Sequence, residues 1–299
     1  MTVPRQLTPE TREPGRTERP PELRVHHRLW RNTLLVVGGA AGLGLVWSHP
    51  DRGVADGWYV WAALATLLGV LSGSSFGSGI ARLREIGAIA PVRWHRILPP
   101  LLAMALVAGA ALPLAVVIVD QGVIWQGVAI AGLGILGALP AGAAVVAIRV
   151  VAIDGLPAPV GAQLAGLIRL RRILSRLNTI LGSLVVSLTL FTAAQRSLAT
   201  GDEVPASLVI YTGAASAVVV AMVYVPTAAM LRRRSMRFID DEFPLDGVDR
   251  AGLVQAAEDR HRLEAILGLH RTTFSELQAG LVIVSPLLAS AGIALLPGF

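Results

Sequence analysis

Seven apolar stretches divide the chain, and 24 of its 26 positive side chains, all arginine, fall on one side of the zigzag those stretches imply. A helix crossing a hydrocarbon core about 30 Å thick needs roughly 20 apolar residues. The stretches lie at 33–48, 57–80, 99–119, 122–148, 177–195, 205–231 and 279–297, and each reaches or approaches that length. The expected fold is all-α: a polytopic membrane helix bundle of about seven transmembrane helices. Arginine gathers in 1–32, 81–98, 149–176 and 232–278, whereas the opposite loops hold only Arg52 and Arg196. Positive loops stay cytoplasmic. The expected N-terminus is therefore cytoplasmic and the C-terminus external.

Composition narrows the chemistry. Charged residues make up 15% of the chain, well below the roughly one quarter of ordinary soluble domains. Without cysteine there is no thiolate nucleophile, disulfide, iron–sulfur cluster or cysteine-ligated zinc. The formal charge of +6 would suggest nucleic acid in a soluble protein, but these arginines sit where membrane topology puts them. No nucleic-acid partner is expected; membrane lipids are. The absence of lysine beside abundant Ala, Gly, Val and Leu fits a GC-rich bacterial genome, hence the bacterial cytoplasmic (inner) membrane.

The domain organisation follows from the same pattern. Residues 1–32, rich in Pro, Arg and Glu without apolar periodicity, are expected to form a disordered cytoplasmic tail, and no cleavable secretory signal is expected. A six-span bundle occupies 33–231. Within it an interfacial helix near 161–176 sets Leu164, Leu167, Ile168 and Leu174 against Arg169, Arg172 and Arg176. Residues 232–278 form a cytoplasmic acidic turn and an amphipathic stalk helix, free to run on into the seventh span at 279–299.

Ionisable residues inside a membrane are costly and mark ion pathways or proton relays. The seven spans contain no Asp, Glu, Lys or His. Proton-coupled transport through a buried carboxylate is thereby disfavoured. All six histidines lie in loops or tails, so a serine–histidine dyad or an aspartyl pair cannot form within the spans. The remaining polar residues near the spans, Gln121, Gln126, Asn178, Tyr211 and Tyr224, suit interhelical hydrogen bonds. Small residues four apart, including Gly38 with Gly42, Gly73 with Gly77 and Gly127 with Ala131, suit close helix packing. Pro113, Pro140, Pro226 and Pro286 invite kinks. The one polar run within a span, Ser72, Ser74, Ser75 and Ser78 amid glycines, is the candidate solute path.

Three features remain at the cytoplasmic face. Arg232, Arg233, Arg234 and Arg237 follow the sixth span and are candidate lipid-headgroup contacts. Asp240, Asp241 and Asp246 could hold magnesium for a phosphate-bearing substrate. The stretch from Asp246 and Gly247 resembles the aspartate-rich signature of membrane CDP-alcohol phosphotransferases. It departs at Arg250 and Ala251, which are reversed, and at Arg260, Glu264 and Gly268, which replace the later Gly, Asp and Asp. The resemblance carries no catalytic residues across, and no catalytic, cofactor-binding or metal-ligating residue is expected. Third, Leu263, Ile266, Leu267 and Phe274 line one side of the stalk helix, a candidate face for a protein partner or a second copy. The expected function is thus a non-enzymatic membrane component coupling through its stalk to a protein partner or to itself in signalling, assembly or effector roles. The alternative is a small-solute transporter or channel beside the Ser/Gly-rich second span.

Overall fold

The apolar runs fold as helices because a backbone in lipid must satisfy its own hydrogen bonds. The computed structural model describes residues 21–48, 58–119, 125–156, 159–196, 206–242, 244 and 252–269. Among them are seven α-helices and no strand: α1 Pro21–Trp47, α2 Trp58–Gly87, α3 Trp94–Val119, α4 Trp125–Asp154, α5 Val160–Arg196, α6 Ala206–Glu242 and α7 Leu253–Ile266. Five, α2 to α6, are long and apolar enough to cross a membrane, and α1 adds the shorter apolar segment Asn32–Trp47. The chain is a multi-pass membrane protein. The seventh stretch, 279–297, lies outside the described residues.

At the centre is α4, whose residues 141–148 are all buried. It packs on α2, α3, α5 and α6, while α2 also takes α1 along its length. Two apolar cores result. The larger joins α4 to α5 and α6 near the arginine-rich end through residues such as Ile148, Leu170, Ile173 and Ile239. The smaller, around Trp61, Leu68, Ile130 and Phe191, lies toward the opposite end. Between α1 and α2 the backbones touch: a Cβ on Gly42 would stand 2.9 Å from the Ala65 carbonyl oxygen, and one on Gly73 would strike that of Leu34. Gly38 and Gly42 therefore act as packing positions, but their partners on α2 centre on Gly69 and Gly73.

Four expectations change. Helix α1 begins at Pro21, so the last part of the tail assigned to disorder is helical. The interfacial helix near 161–176 is not a separate element; it is the first half of α5, with Leu167, Leu170, Ile173 and Leu174 buried in the core. Likewise Arg232, Arg233, Arg234 and Arg237 ride on α6, which continues to Glu242 with Leu231, Ser235, Phe238 and Ile239 turned inward. Helices of 37 residues are about 55 Å long, against about 30 Å of hydrocarbon. Both α5 and α6 therefore extend well beyond a membrane at the arginine-rich end.

The fourth change concerns the stalk, which stops. Gly268 adopts φ +64°, its N–H bonds to the Ala265 carbonyl at 2.9 Å, and the N–H of Leu269 bonds to that of Glu264 at 2.8 Å. This is a Schellman motif, a helix ending that favours glycine because a left-handed backbone crowds any Cβ. Helix α7 cannot run straight into a seventh span. Arg171 on α5 secures the turn by donating to the Gly268 carbonyl at 2.7 Å. Gly268→Ala should therefore cost about 1 kcal/mol from the backbone alone, and more because its Cβ would meet the Arg171 guanidinium at 3.0 Å. A lower melting temperature of the detergent-purified protein is the expected outcome; an unchanged one would mean that α7 is not held this way.

Candidate functional site

The serine run is mostly packed away. Ser72 and Ser75 are fully buried on α2, and Ser72 donates to the Leu68 carbonyl of its own helix at 2.7 Å. A Cβ on Gly137 of α4 would lie 2.7 Å from the Ser72 Cα, so the two helices are in contact there. The Ser75 hydroxyl has no hydrogen-bond partner among the described residues. Ser74 is half-buried, and only Ser78 opens onto a cleft, at the arginine-rich end. The four residues do not share one lumen.

The stalk face divides too. Leu267 is 1% exposed and belongs to the larger core, and Leu263 packs against that core. Ile266 is 58% exposed, and Phe274 lies outside the described residues. Asp240 is engaged by Arg260 at 2.6 Å, and Arg260 also reaches Glu264 at 3.3 Å. Asp241 is exposed, and Asp246 lies outside the described residues. The hydrogen bond that Arg260 donates to Asp240, and after it the one to Glu264, holds its guanidinium above its usual range. Elsewhere at this end Asp154 pairs with Arg93 and Arg96, and Glu85 with Arg82 and Arg169. Among the described residues no three His, Asp or Glu side chains cluster closely enough to hold a metal.

The site that sequence reasoning missed lies away from the arginine-rich end, among α2 to α6. It is a cavity of about 180 Å³. One wall is a stripe on α4, Gly127, Ala131, Gly134 and Ala138, at the spacing of one helix face. Of these, Gly127 and Ala131 are the pair expected to serve close packing, and Gly127 does pack against Gln195. A Cβ on Gly134, by contrast, would have nothing within 4 Å, and the lining also includes the small residues Ala108, Ala111 and Ala215. Phe191 of α5, stacked at 5.8 Å on buried Trp61, closes part of another wall.

Among the described residues the lining is almost wholly apolar and contains no Asp, Glu, His or Arg. Its polar groups are few, and two of them are engaged. Thr192 donates to the Leu188 carbonyl at 2.9 Å, and Tyr211 reaches from α6 to the Ala111 carbonyl of α3 at 3.3 Å. Gln195 differs. It is 9% exposed, lies against Gly127, and makes no hydrogen bond among the described residues. Gln195 therefore offers an amide at the cavity wall to an occupant with a donor or acceptor. For scale, a dry apolar cavity of about 150 Å³ accepts benzene.

No protein-family model, curated protein or solved structure matches this chain. The geometry is therefore read on its own terms.

One comparison checks it. Gly134→Ala places a methyl group in empty space and should stabilise the protein by up to about 1 kcal/mol. Gly137→Ala, one turn along the same helix, drives a methyl group into Ser72 and should cost about 1–3 kcal/mol. Opposite shifts in melting temperature are expected; equal shifts would contradict the cavity.

Proposed function

We propose that this protein is a non-enzymatic membrane protein that binds an uncharged, largely apolar small molecule in the α2–α6 cavity, as a carrier or sensor. The observation that carries this reading is an apolar cavity of ring-sized volume with the Gln195 amide, which has no hydrogen-bond partner among the described residues, in its wall. An apolar body would fill the small-residue stripe while one carbonyl or hydroxyl meets the amide. A charged solute would face an uncompensated desolvation cost there. Transferase or hydrolase chemistry draws no support here, since among the described residues of the lining Thr192, Thr212 and Ser216 have no carboxylate or imidazole to act as base.

The arginine asymmetry supports an N-terminus in the cytoplasm and a C-terminus outside, in a bacterial inner membrane, with the cavity in the outer half of the bilayer. Reporters fused after Asp51, Gln121 and Gly201 should then behave as external, and those after Pro91, Gly155 and Gly247 as cytoplasmic. An external signal after Gly155 would reverse the assignment.

A second reading, coupling to a protein partner or another copy at the cytoplasmic face, draws on the protruding ends of α5 and α6 and on exposed Leu253, Val254 and Ile266 of α7. It no longer draws on Leu263 and Leu267, which pack inward.

The cavity is tested with an environment-sensitive apolar dye added to the purified protein. Binding should fall at least tenfold in Ala131→Phe, which fills the space, and less in Gln195→Leu, which removes only the polar contact. Binding that ignores Ala131→Phe would retire the carrier reading, leaving partner coupling.

A further inference from the structure

A second recess, of about 390 Å³, opens at the arginine-rich end between α1, α2 and α5. Its walls bring together Trp30 of α1, Ser78, Arg82 and Arg84 of α2, and Arg176 and Thr179 of α5. The arrangement has a simple origin. Helices α1 and α5 each pack along α2 without extensive contact between themselves, which leaves a groove over α2.

The charges in it are unbalanced. Arg82 pairs with Glu85, but that single carboxylate is also held by Arg169 at 2.8 Å. Arg84 and Arg176 have no ion pair or hydrogen bond among the described residues. Thr179 is satisfied by the Ser175 carbonyl at 3.2 Å, whereas the Ser78 hydroxyl has no such partner among them. Depth is the second observation. Trp30 stands just before the apolar segment Asn32–Trp47, Arg82 and Arg84 near the end of α2, and Arg176 near the start of the apolar half of α5. Tryptophan and arginine at those positions occupy the headgroup layer, with Ser78 about one turn deeper.

We propose that this cleft binds the headgroup of an anionic phospholipid from the leaflet at the arginine-rich end. The Arg84 and Arg176 guanidiniums, unpaired among the described residues, take the phosphate diester, since arginine forks match phosphate oxygens. The Ser78 hydroxyl meets the glycerol or ester oxygens below, and Trp30 covers the headgroup from α1. Basic recesses between transmembrane helices are suited to this class of ligand. The cleft is distinct from Arg232, Arg233 and Arg237, which stand exposed on α6 outside its lining.

The full chain, purified in a neutral detergent, tests this directly. Added phosphatidylglycerol should raise the melting temperature by several degrees, while phosphatidylcholine should not. Glycerol 3-phosphate or inorganic phosphate at matched ionic strength should also leave it unchanged, because neither brings acyl chains to the groove. The double substitution Arg84→Gln with Arg176→Gln should abolish the shift, and Arg233→Gln with Arg237→Gln should preserve it. Should the double variant not fold, dibrominated phosphatidylglycerol supplies a second measurement on the protein with its arginines intact. It should quench a tryptophan component that is lost in Trp30→Phe, and dibrominated phosphatidylcholine should quench that component less. Any of four results would overturn the proposal: a full shift retained by the cleft variant, loss of the shift in the α6 variant alone, an equal shift with free phosphate, or equal quenching by the two brominated lipids.

Discussion

The bundle depends on the short side chains of α4 at residues 141–144. In a bilayer, lipid tails are as apolar as leucine, so helices attract one another chiefly through close packing and not through escape from water. Close packing requires backbones to approach. Along α4 the run Ala141, Gly142, Ala143 and Ala144 keeps side chains short where α2, α3, α5 and α6 converge. Gly79 of α2 lies directly against Pro140 and Ala141, and Met104 of α3 fills the space over Gly142. A large residue here would push at least two neighbours away together.

The same economy of side chains has the opposite effect at the other end of the helix. Around Gly134 the neighbours do not close in, and the smallness becomes part of a cavity. What separates the two ends is the facing side. Near Ala141 the neighbours present a glycine backbone or a methionine able to fill irregular gaps. Near Gly134 nothing stands within 4 Å of where a Cβ would be, and the cavity lining includes Ala108, Ala111 and Ala215.

At the arginine-rich end the packing leaves the lipid environment and takes on soluble-protein rules. Leu156, Leu167, Phe238, Ile239 and Leu267 form an ordinary apolar core beneath a surface of ion pairs. Such exposed pairs contribute only about 0–1 kcal/mol each, so burial holds the layer together and the charges orient it. The two recesses differ in kind as a result. The cavity among α2 to α6 is uncharged and shaped by missing side chains; the cleft between α1, α2 and α5 is basic and shaped by a missing helix contact.

Much of this was legible in the residues. Apolar length marked the helices, whereas the three- and four-residue spacing of Leu231, Ser235, Phe238 and Ile239, which carries α6 on to Glu242, was hidden behind the arginine cluster. Gly268 between two leucines carried the stop signal for α7, overlooked because the apolar spacing continues past it. The amphipathic start of α5 was ambiguous in principle, since one pattern serves a helix lying on lipid and a helix facing a protein core. Small-residue spacing was ambiguous for a deeper reason. It states that a neighbour can come close, and whether one does depends on side chains from helices distant in sequence. Sequence alone thus determined an all-helical membrane chain with its arginines at one end. Only the tertiary structure decided that Ser72 is sealed against α4, that Leu267 faces inward, and that Gly134 borders empty space, because each outcome rests on what another helix places opposite.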